Sequence, residues 1–278
     1  MSGPRPADAA ARARPRLVAT DLDGTLLRSD GTVSPRTRAV LVELDRIGIP
    51  VVFVTGRPIR WMESLWEDVG GHGIALLSNG AVVYDVARHE IRTAHRVEPE
   101  LAIEVATRLR HGVPGTSFGV EKTTGFALEP SFFAGESKPA DIAIGGLEEL
   151  LDDQVVKLLA QHAEIAPEPF WEQVEAVVGD LITTTWSSSW ALVEMSAPGV
   201  TKASALADVA AGLGISADEI VAFGDMPNDV ALLGWAGRSF AMANAHPLAL
   251  AAAAETAPTN DEDGVAVTLA GIFGLGVV

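Results

Sequence analysis

Short apolar runs, each ending in a polar cluster, punctuate the chain. Leu17-Val18-Ala19-Thr20 enters an acidic turn, and Ser34-Pro35 then supplies an N-cap followed by proline at the first helical position. Val40, Leu44 and Ile47 recur at helical spacing until Gly48, and Val51-Val52-Phe53-Val54 follows as a buried strand. This pattern predicts a parallel strand–helix–strand unit. Ile74 to Leu77 predicts a third strand, Asn79-Gly80 a turn, and Val82 to Tyr84 with Ile91 to Thr93 a hairpin around Arg88-His89. The same texture returns near the C-terminus. Ala203 to Gly212 and Ala251 to Ala254 read as helix, Ile220 to Phe223 and Ser239 to Met242 as buried strands. The two ends are therefore expected to be halves of one doubly wound, mostly parallel, Rossmann-like α/β core sheet.

Between Val97 and Ser196 the pattern changes. A helix over Pro99 to Arg110 precedes a Gly- and Phe-rich stretch to Phe133, a helix near Leu147 to Leu151 and a strand from Val155 to Leu159. This middle predicts an inserted α+β domain. Its Trp171, Trp186 and Trp190, with Ser187-Ser188-Ser189, suit either a pocket wall or ordinary core packing. The expected organisation is a disordered leader over 1–15, a core made of 16–96 and 197–278, and an inserted domain over 97–196.

Composition narrows the function classes. With 278 residues, 48% apolar and 21% charged, the chain can bury a substantial core. Thirty-seven acidic against 20 basic residues leave a net charge of −17, although four arginines face a single acid in the first sixteen positions. Such a body repels nucleic acid and anionic membrane, so neither is an expected partner. Zero cysteines exclude disulfides, thiolate catalysis and Cys-ligated zinc or iron–sulfur sites. No run reaches the roughly 18 apolar residues of a membrane span, and the N-terminus lacks a secretory apolar core, so a cytoplasmic location is the default expectation.

In an open parallel sheet, ligands bind beyond the carboxyl ends of the strands. The polar clusters fall there: Asp21-Leu22-Asp23-Gly24-Thr25 after the first strand, Thr55-Gly56-Arg57 after the second, and Gly224-Asp225-Met226-Pro227-Asn228-Asp229 after the late one. Lys202 stands just before the helix that precedes it. Carboxylates this close repel unless a hard cation sits between them, and all-oxygen ligands of this kind favour Mg²⁺. An Asp beside such a cation can attack phosphorus, a second Asp can act as general acid, and Thr55 and Lys202 offer a hydroxyl and an ammonium to phosphoryl oxygens. An EF-hand calcium loop is excluded, because its twelfth position would be Thr32 counted from Asp21, or Ile272 counted from Asp261, rather than glutamate. Arg57, Arg60, Glu121 and Lys122 are further candidates for substrate contact, and Asp21 is expected on a solvent-facing turn.

Together these motifs resemble those of the haloacid dehalogenase-like (HAD) hydrolases, and within them the Cof-type phosphatases, whose α/β cap is inserted after the third core strand. The family's Asp-x-Asp-Gly-Thr corresponds to Asp21 to Thr25, its second-strand hydroxyl to Thr55, its Lys-Gly-x-Ala-Leu to Lys202 to Leu206 with Ala203 for glycine, and its Gly-Asp-x-x-Asn-Asp to Gly224 to Asp229. Asn79-Gly80-Ala81 and Asn260 to Val265 extend the likeness; the middle segment matches in length and position alone. The resemblance implies that Asp21 attacks phosphorus to form an aspartyl phosphate, while Asp23 protonates the leaving alcohol and later activates water. It implies that Mg²⁺ is held by Asp21, the backbone carbonyl of Asp23 and Asp225, with Asp229 steadying the metal's waters. Gly56, Arg57 and Asn228 would lie against the substrate. Family dehalogenases lack the second Asp, so Asp23 favours phosphate over carbon–halogen chemistry, since an alkoxide needs a proton and a halide does not. The expectation is a Mg²⁺-dependent phosphomonoesterase acting on a small phosphate ester, a sugar or cofactor phosphate. A phosphomutase of the same fold and a non-catalytic phosphoacceptor module remain as alternatives; the oligomeric state is left open.

Overall fold

The computed structural model describes residues 14–63, 65–66, 73–133 and 142–276. The expected leader lies, up to residue 13, outside the described residues. In chain order the elements are β1 (Leu17–Thr20), α1 (Pro35–Arg46), β2 (Val51–Val54), β3 (Ile74–Leu77), β4 (Val82–Asp85) and β5 (Glu90–Ala94). They continue with α2 (Pro99–Gly112), β6 (Ser117–Lys122), β7 (Gly125–Leu128), β8 (Ala143–Ile144), α3 (Leu147–Leu150), β9 (Val155–Gln161), α4 (Pro167–Val178), β10 (Thr183–Thr185) and β11 (Leu192–Ser196). The chain closes with α5 (Lys202–Gly212), β12 (Ile220–Gly224), α6 (Val230–Trp235), β13 (Arg238–Met242), α7 (Pro247–Ala252), β14 (Glu255–Ala257) and α8 (Gly264–Phe273).

The first sheet runs β14-β13-β12-β1-β2-β3-β4-β5, with β1 paired in parallel to both β12 and β2. Its pairs are parallel as far as β3, after which β4 and β5 close the edge as an antiparallel hairpin. Alternation along the strands sorts side chains onto two faces. Leu17 and Ala19 join Val52, Val54, Ala222 and Leu206 of α5 on one face. Val18 joins Phe53, Phe223, Leu44 of α1 and Leu269 of α8 on the other. A strand buried on both sides must be apolar throughout, which is why these strands read as continuous runs rather than alternating ones.

The second sheet runs β10-β11-β9-β6-β7-β8 and is antiparallel except between β7 and β8. Its outer face packs on α2 and α4 through Phe118, Val120, Leu158, Ala160, Val193, Phe170 and Val174. The alternate residues, Glu121, Lys157, Leu159, Leu192 and Glu194, face a cavity over the first sheet. Helix α4 and strands β6, β7 and β11 were not anticipated in the sequence. The run Ala251 to Ala254 was expected as helix, but α7 begins earlier, at Pro247 capped by His246, and ends at Ala252. No helix among the described residues is long and apolar enough to cross a membrane.

Candidate active site

The floor of the site lies where β1 and β12 run out side by side, Thr20 opposite Phe223. After β1 the backbone turns through Gly24 at φ 72°, and a Cβ there would lie 2.2 Å from Asp225 Oδ2, so only glycine lets the two loops approach this closely. Thr25 Oγ1 donates to Asp225 Oδ1 at 2.8 Å, fastening the loops together. Beyond β12, Asp229 Oδ2 accepts the backbone N–H groups of Asp225 and Met226 at 3.0 and 3.1 Å. The acidic loop is thus folded around one of its own carboxylates.

Lys202 enters from α5. Thr201 and Ser204 form a reciprocal capping box, so Lys202 is the first residue of the helix rather than the residue before it. Its fully buried ammonium donates to Asp21 Oδ1 at 2.9 Å and Asp229 Oδ1 at 2.7 Å. Burial disfavours that charge, but Asp21 and Asp229 outweigh it and hold the lysine protonated well above its ordinary range. Asp21 is itself 5% exposed and closes the bottom of the cavity, which corrects the expectation of a solvent-facing turn. Residues near a sheet's centre remain enclosed by neighbouring loops even past the strand end.

Carboxylate oxygens of Asp21, Asp225 and Asp229 lie within 4.8 Å of one another. Burial pushes the Asp21 carboxyl well above the carboxylate range, Lys202 opposes this, and Asp229 and Asp225 add to it. Burial and Asp229 push Asp225 up to about 7. Once ionised, three carboxylates against one ammonium carry two negative charges, which one divalent cation balances, and the donors are all hard oxygens. The cluster can hold a metal ion of the Mg²⁺ type. The side chain of Asp23 is not part of it.

Asp23 stands at the mouth, its side chain 59% exposed, and accepts from Arg57 Nε at 2.7 Å and Nη2 at 2.6 Å. Burial opposes charge on Arg57, but its hydrogen bond to Asp23 prevails and holds the guanidinium above its ordinary range. Thr55 is buried and its Oγ1 accepts the Arg57 N–H at 3.1 Å, fixing the turn after β2. Asn228 Nδ2 donates to Asn79 Oδ1 at 3.0 Å, while Asn228 Oδ1 is buried without a partner. Gly56, Arg57, Thr55 and Asn228 all line the same cavity as Asp21 and Asp23.

That cavity, about 340 Å³, is roofed by the second sheet. Lys157 Nζ donates to Glu194 Oε1 at 2.5 Å and to the Gly56 carbonyl at 2.9 Å, tying β9 to the turn after β2. Arg60, just after that turn, pairs with Glu121 of β6. Lys157 and Glu194 were missed in the sequence. The available signal was a charged residue at one position of an otherwise apolar strand, Val155-Val156-Lys157-Leu158-Leu159 and Leu192-Val193-Glu194-Met195. Of the four further candidates, Arg57, Arg60 and Glu121 line the cavity, whereas Lys122 pairs outside it with Asp152. The tryptophans divide as well. Trp190 lines the cavity with Ser187 and Ser188, Trp186 is buried edge-on to His246, and Trp171, on α4, packs half-buried against the core of the second sheet.

Comparison with known proteins completes the picture. The chain is 29% identical over 275 residues to the 5-amino-6-(5-phospho-D-ribitylamino)uracil phosphatase YitU of Bacillus subtilis, covering 94% of this chain and 99% of that one. It is 26% identical over 264 residues to the pyridoxal phosphate phosphatase YbhA of Escherichia coli, covering 90% and 96%. The solved structure of SMU.1108c from Streptococcus mutans superposes with a TM-score of 0.82 at 22% identity, covering 94% and 99%, and shows the same fold of core and cap. A receiver-type phosphoacceptor would account for one ordinary domain, and these likenesses span both sheets. The pattern that defines the haloacid dehalogenase-like hydrolases matches residues 18–269, and the chain belongs to that family.

Proposed function

We propose that the chain is a Mg²⁺-dependent phosphomonoesterase that hydrolyses a small phosphorylated metabolite through an aspartyl phosphate on Asp21. The observation that carries this reading is the buried group of Asp21, Lys202, Asp225 and Asp229 beneath a roofed cavity that Asp21 lines, with Asp23 at the same cavity's mouth. Both relatives quoted above are named as phosphatases of small phosphate esters. In this reading 16–96 and 197–278 form the catalytic core and 97–196 the cap; the last strand before the insertion ends at Ala94 and the last strand within it at Ser196.

Asp21, Asp225 and the backbone carbonyl of Asp23 would hold Mg²⁺, with Asp229 steadying its waters. The ion would neutralise the repulsion between carboxylates and phosphoryl oxygens. Lys202 engages Asp21 Oδ1 and so fixes the carboxylate while its other oxygen attacks phosphorus. The bond from phosphorus to the ester oxygen breaks as Asp23 donates a proton to the departing alkoxide. Asp23 then takes a proton from the water that attacks the phosphoenzyme, and inorganic phosphate leaves with Asp21 restored. Arg57 gives this cycle its order. Its two donors occupy both oxygens of Asp23, and an arriving phosphate dianion competes for the same guanidinium, releasing the solvent-exposed Asp23 to take up the proton from water that it then passes to the alkoxide. Thr55, Gly56 and Asn228 supply the remaining contacts to the phosphoryl group.

Turnover of p-nitrophenyl phosphate with Mg²⁺ is the test. Release of inorganic phosphate that EDTA abolishes and Mg²⁺ restores is expected, because the metal-free carboxylates repel the substrate. Unchanged turnover in EDTA would refute the reading, and transfer of phosphate to a second hydroxyl without release would make the enzyme a mutase.

A further inference from the structure

Beyond the phosphoryl site, several described polar groups of the cavity are already engaged within the protein. Lys157, Glu194 and Ser187 form one connected set, Ser187 Oγ donating to Glu194 Oε2 at 3.0 Å. Ser188 Oγ donates to the Trp190 carbonyl at 2.7 Å. A sugar brings a hydroxyl on almost every carbon, and each would need a partner on entering this cavity. What the wall offers instead is aromatic surface. Trp190 is 41% exposed although it lines the cavity, and Phe133 packs against it with ring centroids 4.7 Å apart. Phe133 holds that place at φ 51°, a left-handed backbone that bulky residues rarely adopt. From the core, the Arg60 guanidinium lies 5.1 Å from the Trp61 ring and 5.0 Å from the Phe126 ring, which presents a planar cation in the same wall.

A carboxylate acceptor is available as well. Arg60 engages Glu121 Oε1, which leaves Oε2 as an acceptor on a residue that lines the cavity. Burial raises the Glu121 carboxyl above the glutamate range against the pull of Arg60 and Lys157, so the carboxylate is a more basic acceptor than an exposed one.

We propose that Trp190 and Glu121 are specificity determinants that select the phosphate ester of a planar, nitrogen-containing aromatic alcohol, the ring stacking on Trp190 and a ring N–H or amino group donating to Glu121. The proposal rests on the phosphomonoesterase reading. A flat ring fits a wall of this kind at small entropic cost, and a charge-assisted hydrogen bond to a buried carboxylate discriminates strongly against a ligand lacking the donor.

The experiment compares kcat/KM for pyridoxine 5′-phosphate, whose pyridine ring carries a proton at neutral pH, with kcat/KM for glucose 6-phosphate. It uses the wild type, Trp190→Ala, Trp190→Phe and Glu121→Gln, with p-nitrophenyl phosphate as the reporter of the phosphomonoesterase reading itself. The wild type is expected to favour pyridoxine 5′-phosphate by about 10-fold or more, and Trp190→Ala and Glu121→Gln each to lower that ratio by about 10-fold. Trp190→Phe, which keeps a ring, should retain more of the ratio than Trp190→Ala. Turnover of p-nitrophenyl phosphate with glucose 6-phosphate preferred, or a ratio that neither substitution moves, overturns the specificity proposal while leaving the phosphomonoesterase reading intact. No turnover of p-nitrophenyl phosphate with Mg²⁺ overturns both.

Discussion

The floor and the roof of the cavity are built by opposite means. On the floor, each proposed catalytic group is held by backbone or by another charge within a few residues of a strand end: Asp229 by two backbone N–H groups, Lys202 by two carboxylates, Thr55 by the Arg57 N–H. On the roof, single charged residues project from alternate positions of β6, β9 and β11 and find partners on other strands or on the core. Among the described residues no roof side chain bonds a floor carboxylate; the roof meets the floor at the Gly56 carbonyl, through Lys157. Chemistry and selectivity are therefore expected to be separable in this molecule, and substitutions should reveal that separation.

The largest effect is expected from Asp21→Asn, which removes the proposed nucleophile. Loss of kcat by about 10⁴-fold or more, equal for all esters, is expected in single-turnover assays of a protein with unchanged circular dichroism. Residual turnover near wild type would place the nucleophile elsewhere and dissolve the distinction between floor and roof. Asp23→Asn sharpens the comparison within the floor. An alkyl phosphate needs a proton on its leaving oxygen and an activated aryl phosphate does not, so phosphoenzyme formation should slow about 10²-fold more for the alkyl ester. A Mg²⁺ titration should be little changed, since only a backbone carbonyl of this residue is proposed as a ligand. Equal losses for both esters, or recovery in excess Mg²⁺, would assign Asp23 to the metal instead.

The smallest catalytic effect belongs to the roof. Glu194→Gln removes the negative charge paired with the buried Lys157 ammonium and leaves it neutral acceptors, the glutamine amide oxygen and the Gly56 carbonyl, which should cost about 3 kcal/mol of stability at pH 7. Burial alone would raise the Glu194 carboxyl, but the charge and hydrogen bond of Lys157 hold it below its ordinary value of 4.5. A depressed value means that the stabilisation is present above the unfolded value and is lost as pH falls through the folded one. The melting difference between wild type and Glu194→Gln should therefore be full at pH 7 and shrink below about 4.5. Turnover of p-nitrophenyl phosphate by the variant should fall far less than in Asp21→Asn; a comparable fall would mean that the roof shares the catalytic work.

The sequence by itself determined the core and its floor. Apolar runs that must be buried on both faces, a Ser-Pro helix start, and carboxylates placed immediately beyond strand ends are all local signals, and the parallel sheet converts sequence position after a strand into spatial position at one edge. Asp21, Asp23, Thr55, Asp225 and Asp229 were legible for that reason, and Lys202 by its place at the start of a helix. The roof was not, because Lys157 and Glu194 lie 37 positions apart and each is one polar residue in an apolar strand. Only pairing β11 with β9, Glu194 opposite Leu159, turns them to the same face and brings them over Gly56. Asp21's burial and Arg57's fork on Asp23 likewise depend on loops closing over one another, a property of the packed chain. A local pattern fixes which residues follow a strand, and only the tertiary structure decides which side chains a second sheet lays across them.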